Sequence, residues 1–227
     1  MRAVDIEKLV AVGRPTIAPD GSFAVFATSR PDIAANRNVG QLWRVELDGG
    51  ALRRVTRGIA DRQPALSPDG SLVAFVRADA TGAGQIFVVR ATGGEPVQAT
   101  AAQGGVGEFA WSPDGTQLAF TSRVAEAGRY GTVEKLDAAS ESPRRVTGIR
   151  WHANGLGYVA DRPSHVFIVA VPDVDAEPFY DAAPVVRPEG EQAPAPRVVT
   201  AEARALTSGP VSHHGVTFTA DGSEILT

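Results

Sequence analysis

The chain has 227 residues, of which 43% are hydrophobic and 21% charged, with a formal net charge of −4 and no cysteine. That length suits one large domain. The lack of cysteine excludes disulfides, thiolate metal sites and cysteine nucleophiles, and the mildly acidic balance gives no reason to expect nucleic acid or an anionic membrane as a partner.

The opening Met1-Arg2-Ala3-Val4-Asp5-Ile6-Glu7-Lys8 is charged early and carries no apolar core or small-residue cleavage site of a secretory leader. No stretch of the sequence approaches the roughly 20 apolar residues of a membrane helix, so a cytoplasmic protein is expected. Val4–Val10 reads as one or two helical turns, and residues 1–13 as a helical lead-in.

From residue 17 onward one pattern recurs. Ile17-Ala-Pro-Asp-Gly-Ser-Phe-Ala-Val-Phe26, Leu66-Ser-Pro-Asp-Gly-Ser-Leu-Val-Ala-Phe75, Trp111-Ser-Pro-Asp-Gly-Thr-Gln-Leu-Ala-Phe120 and Phe218-Thr-Ala-Asp-Gly-Ser-Glu-Ile-Leu-Thr227 align without gaps. A weaker copy, Trp151-His-Ala-Asn-Gly155, falls between the last two. The turn glycines at 21, 70, 115, 155 and 222 are spaced by 49, 45, 40 and 67 residues. The first three spacings fit one propeller blade per repeat, at about 40–50 residues each.

Each copy has the chemistry of a tight hairpin: Pro pre-sets φ, Asp tolerates the bridge region and Gly accepts φ > 0. A short alternating strand follows, such as Leu72-Val-Ala-Phe-Val76, with Phe26, Phe75 and Phe120 six residues after the turn Asp. Small Ala74 and Ala119 point to the opposite face. A second hairpin completes the unit, with Leu42–Leu47 and Ile86–Ala91 leading into Gly49-Gly50 and Gly93-Gly94, then Thr56 and Thr100 at identical spacing. Four strands make one blade.

The expected architecture is therefore an all-β propeller of four-stranded antiparallel blades, over residues 14–57, 62–101, 107–148 and 149–208, with a fifth begun at 209–227. Within the fourth, Val166–Val171 is expected as third strand and Ala203–Thr207 as closing strand. Residues 172–202, with six prolines and seven acidic residues, read as a loop insertion. The fifth repeat stops inside what is expected as its second strand, which reads as a truncated, open arc.

The residues in order resemble one family, the prolyl oligopeptidase family in its bacterial acylaminoacyl-peptidase-like branch. The resemblance is carried by Asp5…Leu9…Val12-Gly13-Arg14-Pro15, Asn36-Arg37…Gln41-Leu42-Trp43-Arg44-Val45, Gly128-Arg129-Tyr130-Gly131-Thr132, Pro143-Arg144-Arg145-Val146-Thr147, and Gly155-Leu156-Gly157-Tyr158 with Asp161-Arg162 and His165-Val166-Phe167. It covers nearly all of the chain, and the 128–167 run is its most specific part. The resemblance implies a substrate-gating propeller whose partners are a C-terminal α/β-hydrolase domain with a Ser-Asp-His triad and the peptides that domain hydrolyses. Ser-Pro-Asp-Gly turns also occur in TolB-like propellers, so a non-enzymatic interaction scaffold is the alternative.

No catalytic residue, cofactor or metal site is expected within these residues. No serine has glycine two places to both sides, as a nucleophile elbow needs. His152, His165, His213 and His214 lack tight ligand spacing. Gly105–Ala110 and Gly155–Ala160 mimic a dinucleotide fingerprint without the strand-to-helix context. Asp173-Val-Asp-Ala-Glu177 runs into Pro178 where a calcium loop needs Gly. Trp111 and Trp151, at equivalent repeat positions, are expected in the core between blades. Arg129 and Tyr130 stand out, because a loop holding a fork-shaped donor beside an aromatic is suited to line the propeller channel or contact the hydrolase domain.

Overall fold

The structure is a computed structural model and describes residues 3–177 and 200–227. Its regular structure is almost entirely antiparallel strand, with two short 3-10 turns at Ala3–Lys8 and Ala138–Ser140. The lead-in is thus a 3-10 turn, closed by Lys8 on Asp5 at 2.9 Å, followed by Ala11–Val12, which joins the first sheet.

Three sheets follow one another, and period-two alternation explains how they stack. The first pairs Thr16–Ile17, Phe23–Asp32, Leu42–Glu46 and Leu52–Arg54; the second pairs Arg62–Leu66, Leu72–Ala78, Gly84–Arg90 and Val97–Gln98. In the second sheet Val73 lies opposite Val89 and Phe75 opposite Phe87, and this face buries against Val25, Ala27 and Leu42 of the first. The intervening residues Ala74, Ile86 and Val88 face the other way, onto Leu118, Phe120 and Val169 of the third sheet. Both faces are apolar, so the central strand reads as a continuous hydrophobic run. Phe26 is only half-buried, because it lies on the face of the first sheet turned away from the second, opposite Trp43.

Each Ser-Pro-Asp-Gly turn is tied by its own side chains. Asp69 accepts the Ser71 N–H at 3.1 Å and the Ser71 hydroxyl at 2.7 Å, and the Leu72 N–H donates to Ser67 Oγ at 2.9 Å. Asp114 and Asp221 repeat this network. Hydrogen bonds from Ser67 and Ser71 lower the Asp69 carboxyl to about 2, and those from Thr219 and Ser223 lower Asp221 to about 2. Consecutive turns also stack: a Cβ at Gly70 would lie 3.0 Å from the Pro19 ring, one at Gly115 3.5 Å from Pro68, and one at Gly222 3.4 Å from Pro113.

The other edge of each sheet closes on a threonine. The Leu42 N–H donates to Thr56 Oγ1 at 3.1 Å, Ile86 N–H to Thr100 Oγ1 at 2.9 Å and Val166 N–H to Thr207 Oγ1 at 2.9 Å.

The third sheet corrects the expected division of the chain. The hairpin Phe109–Trp111/Gln117–Arg123 is extended not by strands from 124–148 but by Ser164–Ala170, which pairs with Gln117–Arg123, and then by Arg204–Ala205 beside Ser164–Ala170. The register runs from Gln117 opposite Ala170 to Arg123 opposite Ser164, and the Phe120 and Phe167 rings stack at 5.5 Å. Among the described residues, 149–208 therefore form no four-stranded sheet of their own. The Trp151–Gly155 copy folds only as the small hairpin His152–Ala153/Gly157–Tyr158, and Gly155 has no neighbouring turn against it. The next sheet begins with Thr217–Phe218 and Ile225–Leu226, where Val216, Phe218 and Ile225 cover Ala119 and Val166. The expected 172–202 insertion lies largely outside the described residues; its start is held by an ion pair between Arg90 and Asp175.

Candidate functional site in the 124–163 insertion

The repeat turns at the Asp-Gly end are short, although the connection 171–203 also leaves from that end, whereas the excursions 30–41 and 124–163 leave from the opposite ends of the strands. Such long connections on a stacked-sheet scaffold are where binding residues concentrate. The 124–163 insertion has little regular structure, and its shape is set by a polar cluster.

Two backbone bonds close its neck, Val124 N–H to the Pro163 carbonyl and Glu126 N–H to the Asp161 carbonyl, at 2.9 and 2.8 Å. Gly128 and Gly131 have φ of +82 and +76, and Tyr130 between them adopts +52. This tight turn drives Arg129 inward, where it is 8% exposed. Its Nε donates to Glu126 at 3.1 Å and its Nη1 to the Ser142 carbonyl at 2.8 Å, with Glu141 and Asp161 both 3.7 Å away. Tyr130 donates its N–H to Glu141 at 2.8 Å and its hydroxyl to Asp161 at 3.0 Å. Arg144 completes the cluster, at 2.7 Å from Asp161 and 3.1 Å from Glu141.

Burial would raise the Asp161 carboxyl, but hydrogen bonds from Arg144 and Tyr130 outweigh it and hold it below the ordinary carboxylate value. The bond to Asp161 raises Arg144 correspondingly. The Arg144 guanidinium lies over the Tyr158 ring at 4.3 Å, and Arg162 over Tyr130 at 4.6 Å.

Beneath the cluster is a cavity of about 650 Å³ whose apolar walls include Val146, Trp151, Tyr158, Phe167 and Pro210. Arg129 reaches it. Tyr130 does not line it, because its side chain is turned to Asp161. Trp151 is a correction: it is 40% exposed and packs on Tyr158 at 5.6 Å, whereas Trp111 is half-buried between sheets and donates to the Ala65 carbonyl at 3.0 Å. The repeat position alone misplaced it.

A larger cavity of about 890 Å³ runs along the first strands of the sheets, where Gln63 has φ +53 beside a bulge. His165 is buried, with Nδ1 3.3 Å from Thr207 Oγ1, and its ring is 6.2 Å from that of His213. Among the described residues no serine hydroxyl bonds a histidine ring, and no group of three or more His, Asp or Glu side chains is placed to hold a metal.

No family model matches the chain. Among curated proteins it is 29% identical over 170 residues to the "Uncharacterized peptidase YuxL" of Bacillus subtilis (strain 168), covering 74% of this chain and 26% of that protein. It is 34% identical over 117 residues to the "Dipeptidyl-peptidase 5" of Porphyromonas gingivalis, covering 51% of this chain and 17% of that protein. An acylaminoacyl peptidase of Pyrococcus horikoshii superposes on 92% of this chain and 27% of its own, at a TM-score of 0.56 and 14% identity. The chain is thus similar to a portion of proteins named as peptidases and shares the propeller fold of an acylaminoacyl peptidase. It spans about a quarter of the Bacillus relative's length and less of the Porphyromonas one. No helix among the described residues is long and apolar enough to cross a membrane.

Proposed function

We propose that this propeller gates substrate access in a serine-type peptidase whose triad lies in an α/β-hydrolase domain outside residues 1–227. One observation carries the reading: relatives named as peptidases match the chain over a fraction of their length, while residues 1–227 hold no Gly-x-Ser-x-Gly. In this reading the chain contributes selection and positioning, and peptides are the substrates. Arg129 acts as a positioning residue that holds the insertion in shape, with Tyr130 fixing its turn. The lack of cysteine supports a reducing, cytoplasmic setting.

The test is labelling of the full-length protein with a fluorophosphonate, followed by peptide mapping and a peptide-hydrolysis assay. One labelled serine beyond residue 227, with hydrolysis lost on labelling, is the expected result. A labelled serine within 1–227 overturns the reading. No labelling and no hydrolysis replaces it with a non-enzymatic propeller scaffold.

A further inference from the structure

We propose that the cavity beside Trp151 receives the C-terminal residue of a peptide, its apolar side chain against Trp151 and Val146 and its free carboxylate paired with Arg145 and Arg150. The charge balance of the insertion points there. Glu126, Glu141 and Asp161 are all engaged by Arg129 and Arg144, leaving none of these carboxylates free to neutralise a further cation. Arg145 and Arg150 also line the cavity, are exposed, and make no hydrogen bond or ion pair among the described residues. Two uncompensated guanidinium groups thus stand at the mouth of an apolar cleft.

The dimensions agree. About 650 Å³ lies within the range of small-ligand sites, which combine apolar walls with a few placed polar groups. Guanidinium forks match a carboxylate in two-point geometry, and an arginine is preferred over lysine where that geometry matters. Trp151 at 40% exposure offers a ring face, already steadied from behind by Tyr158. An apolar side chain covering that face removes surface from water, while a polar or amidated terminus leaves the arginines unmatched. Only the identification of the ligand as a peptide rests on the proposed peptidase function; the carboxylate selectivity rests on the cleft.

The probe is the tripeptide Ala-Ala-Phe against its C-terminal amide, titrated calorimetrically into the protein. The acid is expected to bind about tenfold or more tightly than the amide, the span of a hydrogen bond to a charged group. The double variant Arg145→Gln/Arg150→Gln is expected to bind both equally, with an unchanged melting temperature because neither arginine holds the fold. Trp151→Ala is expected to weaken acid and amide alike. Equal binding of acid and amide, no binding of either at millimolar concentration, or a preference that survives the double variant overturns the inference. Binding is read without hydrolysis, so it fails or stands separately from the serine-labelling result.

Discussion

Alanine at Gly70 is expected to destabilise the protein about twice as much as alanine at Gly21, although the two residues share a backbone conformation. Their φ values are +75 and +72, so each substitution carries the same left-handed penalty of about 1 kcal/mol. They differ in surroundings. A Cβ at Gly21 meets nothing within 4 Å, whereas one at Gly70 falls 3.0 Å from the Pro19 ring, closer than ordinary van der Waals contact. Either the ring or the whole turn must move, and a small overpacking of this kind adds about 1 kcal/mol. Gly115, whose Cβ would sit 3.5 Å from Pro68, has room and is expected to behave like Gly21. With a urea slope of about 2 kcal/mol/M, the midpoint is expected to fall by about 0.5 M for Gly21→Ala and Gly115→Ala, and by about 1 M for Gly70→Ala. Equal shifts at Gly21 and Gly70, with unchanged slopes, would refute the idea that consecutive turns press on one another.

Thr100→Val keeps the shape but removes the acceptor of the buried Ile86 N–H and the donor to Gln85 Oε1, so a loss of about 1–3 kcal/mol in urea melts is expected. Asp69 and Asp221 have carboxyls depressed in the folded state, so their contribution is complete above the unfolded value near 4 and is lost as pH falls toward about 2. Urea midpoints measured from pH 5 to 2 are expected to fall less steeply in Asp69→Asn than in the parent. Arg129→Met leaves Glu141 and Asp161 short of a partner and is expected to speed tryptic cleavage at Arg144 or Arg145 by about tenfold or more, while cleavage in the sheets is unchanged.

The Pro-Asp-Gly turns and the alternating strands after them were legible in the sequence because both depend on neighbours a few residues away. The fold class follows from those local rules. The division of the third sheet does not, since 40 residues separate Arg123 from its partner Ser164 and no local rule counts across such a gap. A signal was present nonetheless: Val166-Phe-Ile-Val repeats Ile86-Phe-Val-Val, and Thr207 occupies the role of Thr56 and Thr100. Matching closing threonines rather than turn glycines would have joined residues 164–207 to the third sheet. The misleading element was Trp151–Gly155, which has the turn's ending without its proline. At the candidate site, Arg129 and Tyr130 stand out by residue type, but their partners Glu141, Arg144 and Asp161 lie 11 to 32 residues further along, where no local spacing ties them to the turn.

The stacked turns bear on how neighbouring sheets can move. Pro19 against Gly70, Pro68 against Gly115 and Pro113 against Gly222 form a seam along one end of the sheets, as a binding holds the pages of a book. Pages so held fan apart only at the fore-edge. Here the fore-edge is the end carrying the 124–163 insertion, so any spreading of the second and third sheets would widen the gap beside the insertion and leave the turn end shut.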